Sequence, residues 1–147
     1  MRPVKITCIA LACASLLFGQ FGCKTTEALM SSTQFSESAY NTDKQTKTEA
    51  LALIDRAQGN APYTGAAADV DQLMQKIDAA ITSEQARKSN GPTVKQWQKV
   101  KAQLSSLFGM WKSKGSLLPA LVKDAKTQVS DLFDDLIATE NDKRPRA

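Results

Sequence analysis

The stretch DVDQLMQKIDAAI, residues 69–81, decides the fold class of this chain. Its apolar residues recur at i, i+3, i+4 and i+7, and charged or amide side chains lie between them. Apolar residues with this period form a stripe along one face of an α-helix, and other elements must cover that stripe. The spacing therefore predicts an amphipathic helix, which we expect to run from about Ala66 to Lys88.

Two further apolar stripes with the same period follow toward the C-terminus. The first covers residues 94–111 and ends at Lys114-Gly115, and the second covers residues 118–137. The sequence Asn90-Gly91-Pro92 separates the first of these from the helix before it, because it can end one helix and begin another. Pro119 fits a helix only in the first turn, where its missing N–H costs nothing. These signals predict three strong helices.

The pattern weakens toward the N-terminus. Residues 23–46 are rich in Ser and Thr and are predicted to form a tether or a weak helix, whereas a helix becomes clear near Lys47 and stops at Gln58-Gly59-Asn60. Residues 141–147 form a polar tail. Short connections favour antiparallel neighbours. We therefore expect an all-α protein, an up-down antiparallel helical bundle over residues 47–140 with three strong helices and an N-terminal one.

The first 22 residues have the parts of an export signal. Arg2 and Lys5 form a basic start, an apolar run covers about residues 6–18, and small residues follow. This run is shorter than the roughly 20 apolar residues that span a bilayer. We expect a cleaved signal peptide over residues 1–22.

The end of this segment resembles that of a bacterial lipoprotein precursor, since Gly22 and Cys23 match the end of a lipobox, although Gln20 and Phe21 depart from it. The chain has three cysteines, and Cys8 and Cys13 would leave with the signal. The resemblance implies that Cys23 carries acyl chains, which removes the otherwise unexplained single thiol of an exported protein. A secreted protein with an incidental thiol, or a short uncleaved anchor, is the alternative.

The resemblance also implies a location. Lys24 follows the cysteine, and in enteric-type bacteria the absence of Asp at that position resembles an outer-membrane address. We therefore expect a protein of the cell envelope, held on the outer membrane facing the periplasm rather than on the inner membrane.

Composition limits the function classes. Removing residues 1–22 takes two of the 19 basic residues and none of the 15 acidic ones, so the rest is close to charge balance and nucleic acid is not an expected partner. The chain has no histidine, which excludes a Ser-His-Asp triad and argues against a Cys/His metal site. We expect no enzyme activity, no cofactor and no metal.

Two groups of side chains remain as candidate contact residues. Five lysines in a region without acidic residues either grip an anionic surface or an acidic partner, or are neutralised by the acidic residues of the last helix: Lys95, Lys99, Lys101, Lys112 and Lys114. Four aromatic residues either fill the core or line a site for an apolar ligand: Trp97, Phe108, Trp111 and Phe133.

The predicted function is that of a lipid-anchored envelope protein whose bundle is a structural or protein-interaction module, binding another envelope protein or itself. The alternative is a carrier or sensor of an apolar small molecule held within the bundle. An enzyme acting on the cell wall or on lipids would need a cleft of carboxylates with perturbed pKa values, and no motif indicates one.

Overall fold

A computed structural model describes residues 34–59 and 61–145 of the chain. The predicted signal peptide and Cys23 lie outside the described residues. Four α-helices account for most of the described part: α1 (Glu37–Arg56), α2 (Ala67–Ala86), α3 (Gly91–Lys114) and α4 (Pro119–Asn141), with a 3₁₀ turn at Tyr63–Gly65 before α2. No strand is present in this part of the chain, although one isolated bridge joins Gln58 to Leu117.

The helices form an up-down antiparallel bundle, as predicted. Each helix packs against its sequence neighbours, and α1 packs most extensively against α4. The ion pairs give the direction of the helices: Arg56 pairs with Asp69 and Glu49 with Lys76, so α1 and α2 run in opposite directions. The fold class read from the apolar periodicity is therefore confirmed.

The helix ends agree closely with the turn signals, with one exception. Pro119 is the first residue of α4, and Gly115 ends α3 with a φ of 79°, a conformation that glycine adopts without steric cost. The exception is α1, which begins at Glu37 rather than near Lys47. Its N-cap is Ser36, whose Oγ accepts a hydrogen bond from the backbone N–H of Ala39 at 3.2 Å.

The core lies along the bundle axis and is made of the predicted stripes. Trp97, Trp111 and Phe133 are the largest side chains in it, and all three are fully buried. Burial of such aromatic side chains contributes about 2–3 kcal/mol each relative to exposure. The bundle therefore has a continuous apolar interior.

The up-down path brings the two ends of the helices together as two distinct poles. The start of α1, the end of α2, the start of α3 and the end of α4 meet at one pole, which we call the polar pole. The opposite ends of the helices meet at the other, which we call the apolar pole. The charged residues that are buried lie at the polar pole, and they form the candidate site.

Candidate functional site

The centre of the polar pole is Glu140, a carboxylate in the last turn of α4 with no exposed surface. It accepts hydrogen bonds from Arg87 at 2.7 Å and from Lys143 at 2.5 Å. It also accepts one from the backbone N–H of Ser36 at 2.7 Å. Burial by itself would raise the pKa of the Glu140 carboxyl, but these three donors outweigh it and hold the pKa below its ordinary value.

Arg87 connects this carboxylate to the other helices. Its guanidinium also binds the carboxylate of Glu84 on α2, at 2.7 Å, and it donates to the backbone carbonyl of Gln34 at 2.6 Å. The hydrogen bonds that Arg87 donates to Glu140 and Glu84 raise the pKa of its guanidinium, so it stays charged. One arginine thus ties together α2, α4 and the segment that leads into α1.

A second set of contacts completes the cluster from the α2–α3 connection. The side-chain amide of Asn90 donates to the Glu84 carboxylate, and Lys143 donates to Asn90 Oδ1 at 2.9 Å and to Thr93 Oγ1 at 3.1 Å. We call this set the charged cluster; its members are Glu84, Arg87, Asn90, Thr93, Glu140 and Lys143. Buried ion pairs need such additional hydrogen bonds to offset the cost of removing charges from water.

Asp43 on α1 lies beside the charged cluster, and only 2% of its surface is exposed. Burial, together with the negative charges of Glu84 and Glu140, raises the pKa of its carboxyl to about 7, although Lys143 and Arg87 lower it. No described residue donates a hydrogen bond to this carboxyl group. Asp43 is therefore the buried acid whose charge the cluster does not balance.

A cavity opens beside Asp43, between α1 and α2. It has a volume of about 280 Å³ and is lined on the α1 side by Asp43 and Thr46, on the α2 side by Lys76 and Glu84, and at its floor by Trp97 from α3. Thr46 Oγ1 and Trp97 Nε1 are both buried and have no hydrogen-bond partner in the described part of the chain. We call this space the polar cavity.

Buried polar atoms are nearly always paired with protein or with ordered water, so unpaired ones need an explanation. The two in the polar cavity belong to side chains with no exposed surface, and each lines the same space as Asp43. Both atoms are buried, so neither is accessible to a molecule that enters the polar cavity.

The four aromatic residues predicted as core or ligand lining have mostly filled the core. Trp97 packs edge-on against Phe133 with the ring centroids 5.7 Å apart, and the ring centroids of Phe108 and Trp111 lie 6.5 Å apart. All four are buried, and only Trp97 borders the polar cavity. The core reading of this stripe is confirmed.

The second buried indole, that of Trp111, has a hydrogen-bond partner. Its Nε1 donates to the backbone carbonyl of Ala61 at 3.0 Å, and the ring of Tyr63 packs on it edge-on at 5.5 Å. The two buried indoles therefore differ in one respect: the N–H group of Trp111 has a partner and that of Trp97 has none.

The five lysines of α3 do not form one surface. Lys101 is paired with Asp78 on α2 at 2.5 Å, and Lys112 lies over the ring of Tyr63 at 5.9 Å. Lys95, Lys99 and Lys114 are exposed and form no ion pair with a described residue. At 100° per residue Lys95 and Lys99 are about 40° apart on the helix, whereas Lys101 lies on another side.

Neutralisation of the lysines by the last helix is not what the structure shows. Among the described residues none of the five forms an ion pair with α4. Two acidic residues of α4 are paired elsewhere: Asp134 with Lys47 of α1 at 2.6 Å, and Glu140 with Arg87 and Lys143. Lys95 and Lys99 remain as an exposed basic pair.

Two other hollows are open grooves on the bundle surface. One lies between α1 and α2, has a volume of about 410 Å³, and is edged by the pairs Glu49–Lys76 and Arg56–Asp69. The other, of about 420 Å³, lies near the start of α4. Neither contains a buried polar atom without a partner.

The buried acids carried a sequence signal that periodicity reasoning passed over. Glu84 continues the α2 stripe of Val70, Leu73, Ile77 and Ala80, and Glu140 continues the α4 stripe in the same way. Asp43 and Thr46 extend the α1 stripe toward its N-terminus. An acidic residue in register with an apolar stripe is the pattern that predicts a buried, partnered carboxylate.

Comparison with known proteins gives no relative for this chain. No family model, no curated protein and no solved structure matches it. Within residues 34–59 and 61–145, no helix is long and apolar enough to cross a membrane. In the same residues no group of three or more His, Cys, Asp or Glu side chains could hold a metal ion.

Proposed function

We propose that this protein is a lipid-anchored module of the bacterial cell envelope, attached through acyl chains on Cys23, whose helical bundle binds another envelope protein or a second copy of itself. The observation that best supports it is the way in which the segment leading from Cys23 meets the bundle. Gln34 O accepts from Arg87 and Ser36 N donates to Glu140, both within the charged cluster.

In an anchored protein, this attachment would restrain the chain where it enters the bundle. Arg144 adds to it, since its guanidinium lies 3.9 Å from the centre of the Phe35 ring. A chain held at residues 34–36 by buried charges cannot swing freely at that point. The polar pole would then face the anchor, and the start of α3, which carries Lys95 and Lys99, belongs to that pole.

The contact surface in this proposal is the exposed basic pair of α3, Lys95 and Lys99. Lys95 and Lys99 have no acidic neighbour within ion-pair distance in the described part of the chain, and residues 86–122 contain no acidic residue. An acidic surface on an envelope partner would complement them and would speed encounter at low salt. The alternative function, a carrier of an apolar molecule, has less support because Phe108, Trp111 and Phe133 pack against other rings.

The anchor is tested by intact mass. The protein is purified from the membranes of a producing bacterium, beside a Cys23→Ala variant. We expect the mass of residues 23–147 plus acyl chains, and loss of those chains and of membrane attachment in the variant. An unacylated chain, or one cut at another position, would contradict the proposal.

The contact surface is tested separately by charge reversal. A photo-crosslinking amino acid replaces the exposed Gln98, and crosslinked partners are compared between the parent and a Lys95→Glu/Lys99→Glu variant. Lys123→Glu on α4 is the matched control, since Lys123 is also exposed. Loss of the crosslink in the double variant alone is expected, and its persistence would remove the basic pair from the proposal.

A further inference from the structure

The exposed charges of α3 and α4 that form no ion pair are sorted by sign. On α3, the exposed lysines Lys95, Lys99 and Lys114 form no ion pair with a described residue. Four exposed acids of α4 and its C-cap are likewise in no ion pair with a described residue: Asp124, Asp131, Asp135 and Asp142. Two neighbouring helices thus present opposite charges that the single chain leaves uncompensated.

The charges that are paired show which way these residues point. Lys101 of α3 pairs with α2, and Asp134 of α4 pairs with α1, so these two side chains lie on the sides of α3 and α4 that turn away from each other. At 100° per residue, Lys99 lies about 160° around α3 from Lys101, and Asp135 lies about 100° around α4 from Asp134. Lys99 and Asp135 are both exposed, so they belong to the outer surface that α3 and α4 form together.

The relative height of these residues follows from contacts between the two helices. Two hydrogen bonds cross from α3 to α4: from Gln96 Nε2 to Thr139 Oγ1 at 3.0 Å, and from Gln103 Nε2 to Gln128 Oε1 at 2.8 Å. Because the helices are antiparallel and each rises by about 1.5 Å per residue, these bonds place Lys99 level with roughly residues 132–136 of α4. Asp135 lies within that range, and Asp131 lies next to it.

A second copy of the chain can complement both helices at once. A two-fold axis that runs parallel to the helices along this outer surface places α3 of each copy against α4 of the other, antiparallel and at unchanged height. Lys99 then faces Asp135 of the second copy, and Lys95 lies about one turn away. The same contact occurs twice, because the symmetry exchanges the two copies.

This symmetry also suits two copies that are held on one membrane. An axis along the bundle keeps both polar poles at the same end, so residues 34–36 enter both bundles from the same side. An axis perpendicular to the helices would put the two entry points at opposite ends. Attachment to one membrane raises the effective concentration of the copies, so that exposed ion pairs, which are individually weak, can hold them together.

We infer that the outer surface of α3 and α4 joins two copies of this chain in a symmetric dimer, in which Lys95 and Lys99 of each copy pair with Asp131 and Asp135 of the other. We call this surface the α3–α4 face. The inference rests on the proposed function, since it names a second copy as the acidic partner of the basic pair.

The dimer is detected by photo-crosslinking of the full chain in a producing bacterium, with two epitope tags to identify crosslinked pairs. The crosslinking amino acid replaces Ser106, which is exposed and lies about 20° around α3 from Lys95. We expect a crosslinked dimer in which Ser106 is joined to roughly residues 125–129 of the second copy, the segment level with it. The exposed Gln75 on α2 is the control position and should give no dimer above background.

Charge exchange between the helices tests the pairing. Lys95→Glu/Lys99→Glu makes both helices of the face negative, and Asp131→Lys/Asp135→Lys makes both positive. Each variant alone should give at least about tenfold less crosslinked dimer than the parent, because like charges then face each other. When the two variants are produced together, both contacts regain opposite charges, and the mixed dimer should form.

Two further variants show whether the effect belongs to the α3–α4 face. Asp71→Lys on α2 and Lys123→Glu on α4 change exposed charges outside it, so each should crosslink as the parent does. Recovery of the dimer in the mixture also shows that the charge-exchanged variants are folded, because a misfolded chain would not be rescued by another.

Three results would overturn the inference. The first is a parent chain that gives no more dimer from Ser106 than from Gln75. The second is a dimer that neither charge-exchanged variant reduces. The third is loss of the dimer in both variants without recovery when they are produced together.

The intact mass of the same sample tests the anchor independently. Acylated protein that forms no dimer would refute the inference and leave the anchor in place, whereas a complementing dimer of unacylated chains would refute only the anchor. A crosslink from Gln98 to another protein that depends on the basic pair, without complementation between the variants, would keep the proposed contact surface and refute the second copy as its partner.

Discussion

The contacts that hold the helix ends together differ between the two poles of this bundle. At the apolar pole the backbone N–H of Leu117 donates to the carbonyl of Ala57 at 3.1 Å, and the indole of Trp111 reaches Ala61 O. At the polar pole the helices meet through buried carboxylates, a guanidinium and an ammonium group. Buried charged groups therefore join the helices at the polar pole, whereas the ion pairs at the apolar pole, Arg56–Asp69 and Lys126–Asp55, are exposed.

The comparison shows what a charged closure adds. At the apolar pole the indole of Trp111 has a hydrogen-bond partner, and two open grooves lie at the edge of that pole. Charged closure depends on a balance of acids and bases, and here that balance is incomplete at Asp43. The two poles of a helical bundle can thus differ in the charge that they bury.

The largest expected effect breaks the charged closure. Glu140→Gln removes the buried carboxylate that accepts hydrogen bonds from Arg87, Lys143 and Ser36 N, so two partly buried cations lose a partner. We expect the free energy of unfolding, measured by urea denaturation, to fall by about 3–5 kcal/mol. Glu37→Gln, whose carboxylate is exposed and lies 3.6 Å from Arg144, should cost less than about 1 kcal/mol. A similar loss in both variants would show that the cluster contributes no more than surface pairs.

The next effect concerns Asp43 and pH. Because the pKa of its carboxyl rises from 3.8 to about 7 on folding, the folded state keeps a proton that the unfolded state has lost between these values. The contribution of Asp43 to stability is therefore present at low pH and is lost as the pH rises to 7, with a slope of at most about 1.4 kcal/mol per pH unit.

Asp43→Asn should remove this slope and should exceed the parent in stability at pH 8 by on the order of 2 kcal/mol. Asp131→Asn should keep the slope of the parent, since Asp131 is exposed. Urea denaturation at several pH values between 4 and 8 measures the difference between each variant and the parent. Parallel curves for the parent and Asp43→Asn would contradict the assignment.

The indole N–H groups of Trp97 and Trp111 allow a comparison that depends on a single hydrogen bond. Trp111→Phe and Trp97→Phe remove similar volumes from two fully buried sites. Only the first breaks a hydrogen bond and leaves the carbonyl of Ala61 without its donor, whereas the second removes a donor that had no partner. Trp111→Phe should be the more destabilising by about 2 kcal/mol. Equal losses in thermal or urea unfolding would mean that Trp97 Nε1 is satisfied after all.

The smallest effect compares the turns of the two poles. Gly115, which follows α3 at the apolar pole, and Ser89, in the α2–α3 connection at the polar pole, both have positive φ values, of 79° and 59°. Only glycine adopts this conformation without steric cost. Gly115→Ala should therefore lower the free energy of unfolding by about 1 kcal/mol, and Ser89→Gly should raise it by a similar amount. Changes of the same sign in the two variants would refute this account.

Most of the fold could be predicted because it depends on local signals. The i, i+3, i+4 spacing located α2, α3 and α4, and Pro119 and Gly115 marked ends that the structure places at those residues. The start of α1 was predicted near Lys47, too late, because its first turns have polar residues on their buried side. Asp43 and Thr46 are buried by contacts with distant parts of the chain, and local hydrophobicity does not report such contacts.

The candidate site could be predicted only in part. Trp97 was singled out as core or ligand lining, but its missing hydrogen-bond partner depends on where Asp43 and Thr46 arrive from α1. The polar tail was also read too simply, because Lys143 and Arg144 make contacts to Glu140 and Phe35 rather than being solvated. Pairings between residues that are separated by whole helices follow from the topology, which the apolar pattern alone does not specify.

The extensive packing of α1 against α4 has a consequence for the order of folding. These helices are the first and last of the described chain, so the most extensive contact is also among the most distant in sequence. Distant contacts form late because the loop between them must first be closed at an entropic cost. A nascent chain that has not yet produced its last helix lacks the partner of its first. Under the export proposed above, this delay would leave α1 without its main packing partner until the last helix has crossed the membrane.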